Sequence, residues 1–136
     1  MTTIVPPDDK PLRGLSVLLV EDESMVSLLV EDMLKSLGCA IVWQASNLAE
    51  AALALRNNAP DVAVLDLNLD GELVEPVAEQ LAGESIPFVF ATAYGRQSVP
   101  ERWASRLVIQ KPFRSETLGA ALRAALAAAR RRGTGA

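Results

Sequence analysis

Five short apolar runs alternate with segments of helical spacing along this chain, and that alternation restricts its fold more than any other feature. The runs cover residues 15–20, 40–43, 62–65, 86–90 and 107–109, each short enough to be a buried strand. After the first run, Val26, Leu29, Val30, Met33 and Leu37 recur at helical spacing, and Gly38 supplies a C-terminal cap. Asn47 opens the next helix with Glu50 three residues on, an analogue of the capping box, and Leu48, Ala51, Ala52 and Leu55 share one face. Val74, Val77, Ala78 and Leu81 predict a third helix, which Pro76 in its first turn starts near residue 75. Ser98 and Glu101 offer a capping box for a short fourth helix with Pro100 in its first turn. Ser115 caps the last helix, built on Leu118, Leu122, Ala125, Leu126 and Ala129 and closed by Arg130, Arg131 and Arg132. Continuous apolar strands alternating with helices predict an α/β fold, a doubly wound five-stranded parallel sheet with helices on both faces.

The 136 residues suit a single domain with a full hydrophobic core. Residues 1–14, with three prolines beside Asp8, Asp9 and Lys10, are expected to be a mobile lead-in. Residues 15–130 form the expected domain, and 131–136 a frayed tail. Seventeen acids against thirteen bases leave a net charge of −4, which argues against a nucleic-acid partner. There is no histidine, which excludes Ser-His-Asp and Cys-His catalysis, His-liganded zinc or haem, and a phosphohistidine carried by this chain. Cys39 is the single cysteine, so an internal disulfide is impossible and a reducing cytoplasm is expected. No apolar run is long enough to cross a bilayer, so no membrane partner is expected either. The chemistry must rest on carboxylates.

In an open parallel sheet, ligands bind beyond the carboxyl ends of the strands. The first strand is followed by Glu21-Asp22-Glu23, the third by Asp66, Asn68 and Asp70, the fourth by Thr92 and the fifth by Lys111-Pro112. The second offers only Gln44 and Ser46 and reads as an edge away from the site. Singly these signals are weak: an acidic triplet is commonly a solvated loop, Lys-Pro is uninformative, and Thr92 could bond backbone in its turn. Their joint placement on four strands carries the weight. Clustered carboxylates resist ionisation unless neutralised. Mg²⁺, which takes one or two carboxylates with waters and a phosphate, answers that need. A carboxylate can also attack phosphorus, giving an aspartyl phosphate, while metal and lysine spread the charge. Asp66-Leu-Asn68-Leu-Asp70-Gly71 also matches the opening of an EF-hand calcium loop, but the required twelfth-position glutamate is Val77 and the preceding segment reads as strand.

Glu21-Asp22, Asp66, Thr92 and Lys111-Pro112-Phe113 closely resemble the receiver domain of two-component response regulators, over about residues 15–130. The resemblance implies a flavodoxin-like strand order of 2-1-3-4-5. It implies that Asp66 accepts a phosphoryl group from a sensor histidine kinase or phosphotransfer protein. Asp22, Asp66 and the backbone carbonyl of Asn68 would ligate Mg²⁺, with Glu21 holding the ion through water. Thr92, Ala93 and Lys111 would bind the phosphoryl group, and a cis peptide before Pro112 would fix the lysine. Receivers usually carry an aromatic switch three residues before the lysine, where this chain has Val108. The stretch Pro87-Phe88-Val89-Phe90-Ala91-Thr92-Ala93-Tyr94-Gly95 instead looks like the FATGUY subgroup of stand-alone receivers, with Ala93 in place of its usual glycine. Tyr94, the only tyrosine, is therefore a candidate switch aromatic; the bland alternative is a solvent-facing loop residue. Trp103 could be a core anchor or an exposed contact. With no output domain expected after Arg132, the signal should leave by contact with an effector protein or by draining phosphate from the kinase. A homodimer is compatible with this reading. A small Mg²⁺-dependent phosphatase is the outside alternative, since such enzymes also use an aspartate nucleophile.

Overall fold

The computed structural model describes residues 12–134. Its sheet is made of β1 (Ser16–Val20), β2 (Ile41–Ala45), β3 (Val62–Asp66), β6 (Phe88–Thr92) and β7 (Leu107–Gln110). All pairings are parallel, and the spatial order is β2-β1-β3-β6-β7, the doubly wound order 2-1-3-4-5. Every residue of β3 and β6 is buried, whereas β2 is partly exposed as an edge strand should be. Helices α1 (Ser24–Ser36) and α4 (Ser115–Thr134) cover one face, α2 (Leu48–Asn57) and α3 (Glu75–Gly83) the other. Strand alternation divides the core accordingly. Leu18, Leu65, Phe88 and Phe90 face α2 and α3, while Val17, Leu19, Val64 and Val89 face α1 and α4. Each such fully buried side chain contributes about 1.5–3 kcal/mol of burial energy.

The caps form largely as the residue types require. Gly38 takes φ 105°, its N–H donates to Lys35 O at 3.0 Å, and Cys39 N–H donates to Leu34 O at 3.1 Å. These are the two bonds of a Schellman cap, which needs a left-handed residue at this place. Asn47 Oδ1 accepts from Glu50 N–H at 2.8 Å, and Glu50 Oε1 accepts from both the backbone and hydroxyl of Ser46, at 2.7 and 2.8 Å. Glu50 thus reaches one residue past the cap, and these bonds hold its carboxyl below the usual range.

Three expectations need correction. Residues 1–11 of the lead-in lie outside the described residues, but 12–14 belong to the domain. Leu12 is fully buried, its N–H donates to Leu37 O at 2.9 Å, and Gly14 N–H donates to Gly38 O at 2.9 Å. Residues 12–14 thereby cover the end of α1, and at the other end of the described residues α4 runs past residue 130 to Thr134. Residues 135 and 136 of the expected tail lie outside the described residues.

The fourth helix does not form. Two 3₁₀ turns, Arg96–Ser98 and Glu101–Trp103, stand in its place. Val99, ahead of Pro100, is extended at φ −84° and ψ 131° because the proline ring disfavours the helical region for its predecessor. Pro100 therefore separates two turns instead of opening one helix.

The stretch after Asp66 forms a hairpin, an element for which the sequence carried no expectation. Strands β4 (Asn68–Leu69) and β5 (Glu72–Leu73) pair antiparallel around Asp70-Gly71. Both turn residues have positive φ, 53° and 92°, the combination that a two-residue hairpin turn demands and that Asp-Gly supplies.

Candidate functional site

Strand register builds the site. Val20 pairs with Leu65, Asp66 with Ala91 and Thr92 with Gln110. Glu21 and Asp22 therefore leave β1 level with the end of β3, and Lys111 leaves β7 just beyond Thr92. The strand order reverses between β1 and β3, the switch point at which open sheets place their ligands.

One carboxylate oxygen from each of Glu21, Asp22 and Asp66 lies within 4.8 Å of the others. Glu21 and Asp66 are buried, at 4% and 7% exposure, and Asp22 is half-buried. Lys111 Nζ donates to Glu21 Oε1 at 3.0 Å and stands 3.3 Å from Asp66 Oδ2. Glu21 Oε2 accepts from Glu23 N–H at 3.1 Å, which fixes the carboxylate plane. The backbone anchors the lysine, since Lys111 N–H donates to Thr92 O at 2.8 Å; the peptide that follows it, Lys111–Pro112, is cis.

Burial, reinforced by the Glu21 charge, pushes the Asp66 carboxyl up to about 7 against the opposing pull of Lys111. Burial disfavours the Lys111 ammonium, but its hydrogen bond to Glu21 and the charges of Asp66 and Glu21 outweigh that and raise it. One lysine thus leaves the acids under-compensated. Three converging oxygen donors with an unmet charge demand fit a hard divalent cation, and Mg²⁺ in particular takes few protein carboxylates.

Around the acids the remaining residues fall in two groups. Thr92 is buried; its Oγ1 accepts from Tyr94 N–H at 3.1 Å and lies 3.2 Å from Ser98 Oγ. Ala93 is exposed, and its carbonyl accepts from Gln110 Nε2 at 3.4 Å. Asn68 is exposed on the hairpin, with Oδ1 accepting from Gly71 N–H at 2.8 Å. Tyr94 is 72% exposed. Val108 is half-buried and packs on the core side that holds Trp103.

Two contacts had no reading in the sequence. Ser98, expected to cap a helix, instead meets Thr92. Trp103 is buried edge-on against Phe88 and Phe90, with Nε1 donating to Glu75 Oε2 at 3.0 Å, which settles it as a core anchor. Only its place among charged residues hinted at a carboxylate partner.

A doubly wound domain that gathers acids and one lysine at its switch point is a signalling module of the receiver class. The chain belongs to the response regulator receiver domains: the model of that family matches residues 17–123. Among solved structures, SdrG from Sphingomonas melonis Fr1 is 40% identical, with 85% of this chain and 97% of that chain covered at a TM-score of 0.72. The PhyR receiver domain from Erythrobacter litoralis is 29% identical, with coverage of 84% and 91% and a TM-score of 0.75. The transcriptional regulatory protein PdtaR of Mycobacterium tuberculosis is 29% identical over 87 residues, which are 63% of this chain and 42% of PdtaR. The chain thus spans less than half the length of that relative. Receiver domains act in two-component signalling as switches and not as enzymes. They bind Mg²⁺ at clustered acids and interact with histidine kinases or phosphotransfer proteins. Among the described residues, no helix is long and apolar enough to cross a membrane.

Proposed function

We propose that Asp66 is the phosphoacceptor of a cytoplasmic receiver of the FATGUY subgroup, signalling to an effector protein by contact. The observation that carries this reading is the approach of Lys111 Nζ to within 3.3 Å of Asp66 Oδ2 inside the acidic cluster. The stretch Phe88-Val89-Phe90-Ala91-Thr92-Ala93-Tyr94, which looks like that subgroup's motif, supports the subgroup.

In the reaction, an Asp66 carboxylate oxygen attacks the phosphorus of a partner's phosphohistidine. The new O–P bond forms as the N–P bond breaks, and its electron pair returns to the imidazole. Glu21, Asp22, Asp66 and the Asn68 carbonyl would hold Mg²⁺, which when bound supplies positive charge for the carboxylates and the phosphoryl oxygens. Lys111 donates to Glu21 and faces Asp66, so an ammonium with three protons has one to offer an incoming phosphoryl oxygen. Thr92, with Ala93 beside it, lies at the neighbouring strand end and supplies a hydroxyl to the phosphoryl group, with Tyr94 following its loop.

Incubation with Mg²⁺ and acetyl phosphate, compared between wild type and Asp66→Asn, tests the assignment. Modification of the wild type alone is expected. Equal modification of the variant overturns it.

A further inference from the structure

Thr92 carries one hydroxyl proton, and the bonds around it show where that proton is spent. Tyr94 N–H donates to Thr92 Oγ1 at 3.1 Å, so the threonine oxygen is an acceptor there. Thr92 Oγ1 and Ser98 Oγ are 3.2 Å apart. Ser98 commits its own proton to the Gly95 carbonyl at 2.6 Å. A serine hydroxyl has a single proton, so Thr92 is the donor of the pair and Ser98 the acceptor.

The geometry points to Ser98 as a positioning residue that holds the switch threonine in its resting place. This rests on the reading of Asp66 as phosphoacceptor and of Thr92 as the hydroxyl that turns to the phosphoryl group. A threonine that donates to a phosphoryl oxygen must withdraw its proton from Ser98, because one proton cannot serve both acceptors. Phosphorylation and the Thr92–Ser98 bond are therefore mutually exclusive. Thr92 is buried and Ser98 half-buried, so water replaces the lost bond poorly.

What the exchange releases is a short stretch. Beyond Pro100 the segment is fastened to α3, by Trp103 Nε1 to Glu75 Oε2 at 3.0 Å and by Arg102 Nη1 to Glu79 Oε1 at 3.1 Å. Arg96 ties back to the carbonyls of Ala104 and Arg106, at 2.9 and 3.0 Å. Ser98 is the side chain that joins this turn to Thr92 at the site. Breaking its bond loosens the link between Thr92 and residues 94–98, with the exposed Tyr94 among them, while Gln110 still holds the Ala93 carbonyl, Gln97 the Tyr94 carbonyl at 2.7 Å and Ser98 the Gly95 carbonyl, and residues 101–106 keep their anchors. The state of Asp66 is thereby reported on the surface at Tyr94.

Titration of beryllofluoride in the presence of Mg²⁺ tests this, read by calorimetry on the full chain. Ser98→Ala is expected to bind about two- to tenfold more tightly than wild type, the range of one neutral hydrogen bond lost from the resting state. Ser98→Thr, which keeps the acceptor, restores wild-type affinity. In a Thr92→Ala background, Ser98→Ala changes nothing further. On ligand-free protein, amide exchange of Tyr94 accelerates in Ser98→Ala while that of β6 residues 88–91 does not. Unchanged or weaker binding by Ser98→Ala, or an equal gain in the Thr92→Ala background, overturns the latch and leaves the phosphoacceptor reading standing. Failure of the wild type itself to bind beryllofluoride overturns that reading, and the latch with it.

Discussion

Lys111 donates to Glu21 at 3.0 Å although 90 residues separate them in the chain. Strands β1 and β7 are not neighbours, since β3 and β6 lie between them. The lysine therefore reaches across the end of the sheet, passing 3.3 Å from Asp66 Oδ2 on the way. It is the cation on which two buried acids depend. Lys111→Met keeps the length and removes the charge. Breaking a buried ion pair from one side costs about 3 kcal/mol or more, so urea unfolding of metal-free protein at pH 8 should show a loss of that order. At pH 5 the loss should shrink as Asp66 takes up a proton. The same variant should accept phosphate from acetyl phosphate at least tenfold more slowly.

The raised Asp66 pKa makes a second prediction, and its sign is opposite to that of an ordinary salt-bridged carboxylate. The group moves from an ordinary 3.8 to about 7 because burial and the Glu21 charge disfavour ionisation. Stability is therefore full below pH 3.8, where both states are protonated, and declines as pH rises towards 7, where the unfolded chain ionises first. Metal-free wild type should melt several degrees lower at pH 8 than at pH 5.5. Asp66→Asn should flatten that slope and raise the melting temperature at pH 8. Added Mg²⁺ should raise the wild type at pH 8 and leave Asp66→Asn largely unmoved. An unchanged slope in the variant would show that another group carries the pH dependence.

The strands and their end residues were legible because a parallel sheet is buried on both faces. Its strands then appear as apolar runs, and a polar residue after each run marks the carboxyl edge. Asp66 and Lys111 could be placed that way without any side-chain geometry. What stayed hidden depends on short elements or on contacts between distant residues. The β4–β5 hairpin has strands of two residues, too short to show alternation, and Asp70-Gly71 was its one signal. Ser98 and Glu101 have the spacing of a capping box, but Pro100 holds Val99 extended and Ser98 turns to Thr92. Leu12 sits after a proline-rich stretch whose composition masks a buried anchor.

Leu12 gives the third prediction. Its side chain is fully buried in the cluster that holds Val30, Leu34 and Leu37, and its N–H donates to Leu37 O at 2.9 Å. Leu12→Ala should therefore cost about 2–5 kcal/mol, the range of a core leucine truncation. A surface lead-in would lose less than about 0.5 kcal/mol, so chemical denaturation separates the two cases. Phosphorylation of the folded variant should be unchanged, because Leu12 lies under the end of α1 and not at the carboxyl edge of the sheet.

Trp103 tests how the loop between β6 and β7 is held. Its ring packs edge-on against Phe88 and Phe90, with centroids 5.7 and 6.2 Å away, and its Nε1 donates to Glu75 Oε2 at 3.0 Å. Arg102 adds an ion pair to the same carboxylate at 3.6 Å, with the guanidinium half exposed. These terms can be separated by two substitutions. Trp103→Ala removes packing and the hydrogen bond and should cost about 3–5 kcal/mol. Glu75→Gln keeps an acceptor oxygen for the indole but removes the charge. Exposed pairs contribute about 1 kcal/mol at most, so that variant should lose no more than this, and the loss should fade in high salt. A Glu75→Gln loss as large as that of Trp103→Ala would place the anchor in the ion pair and not in the aromatic cluster.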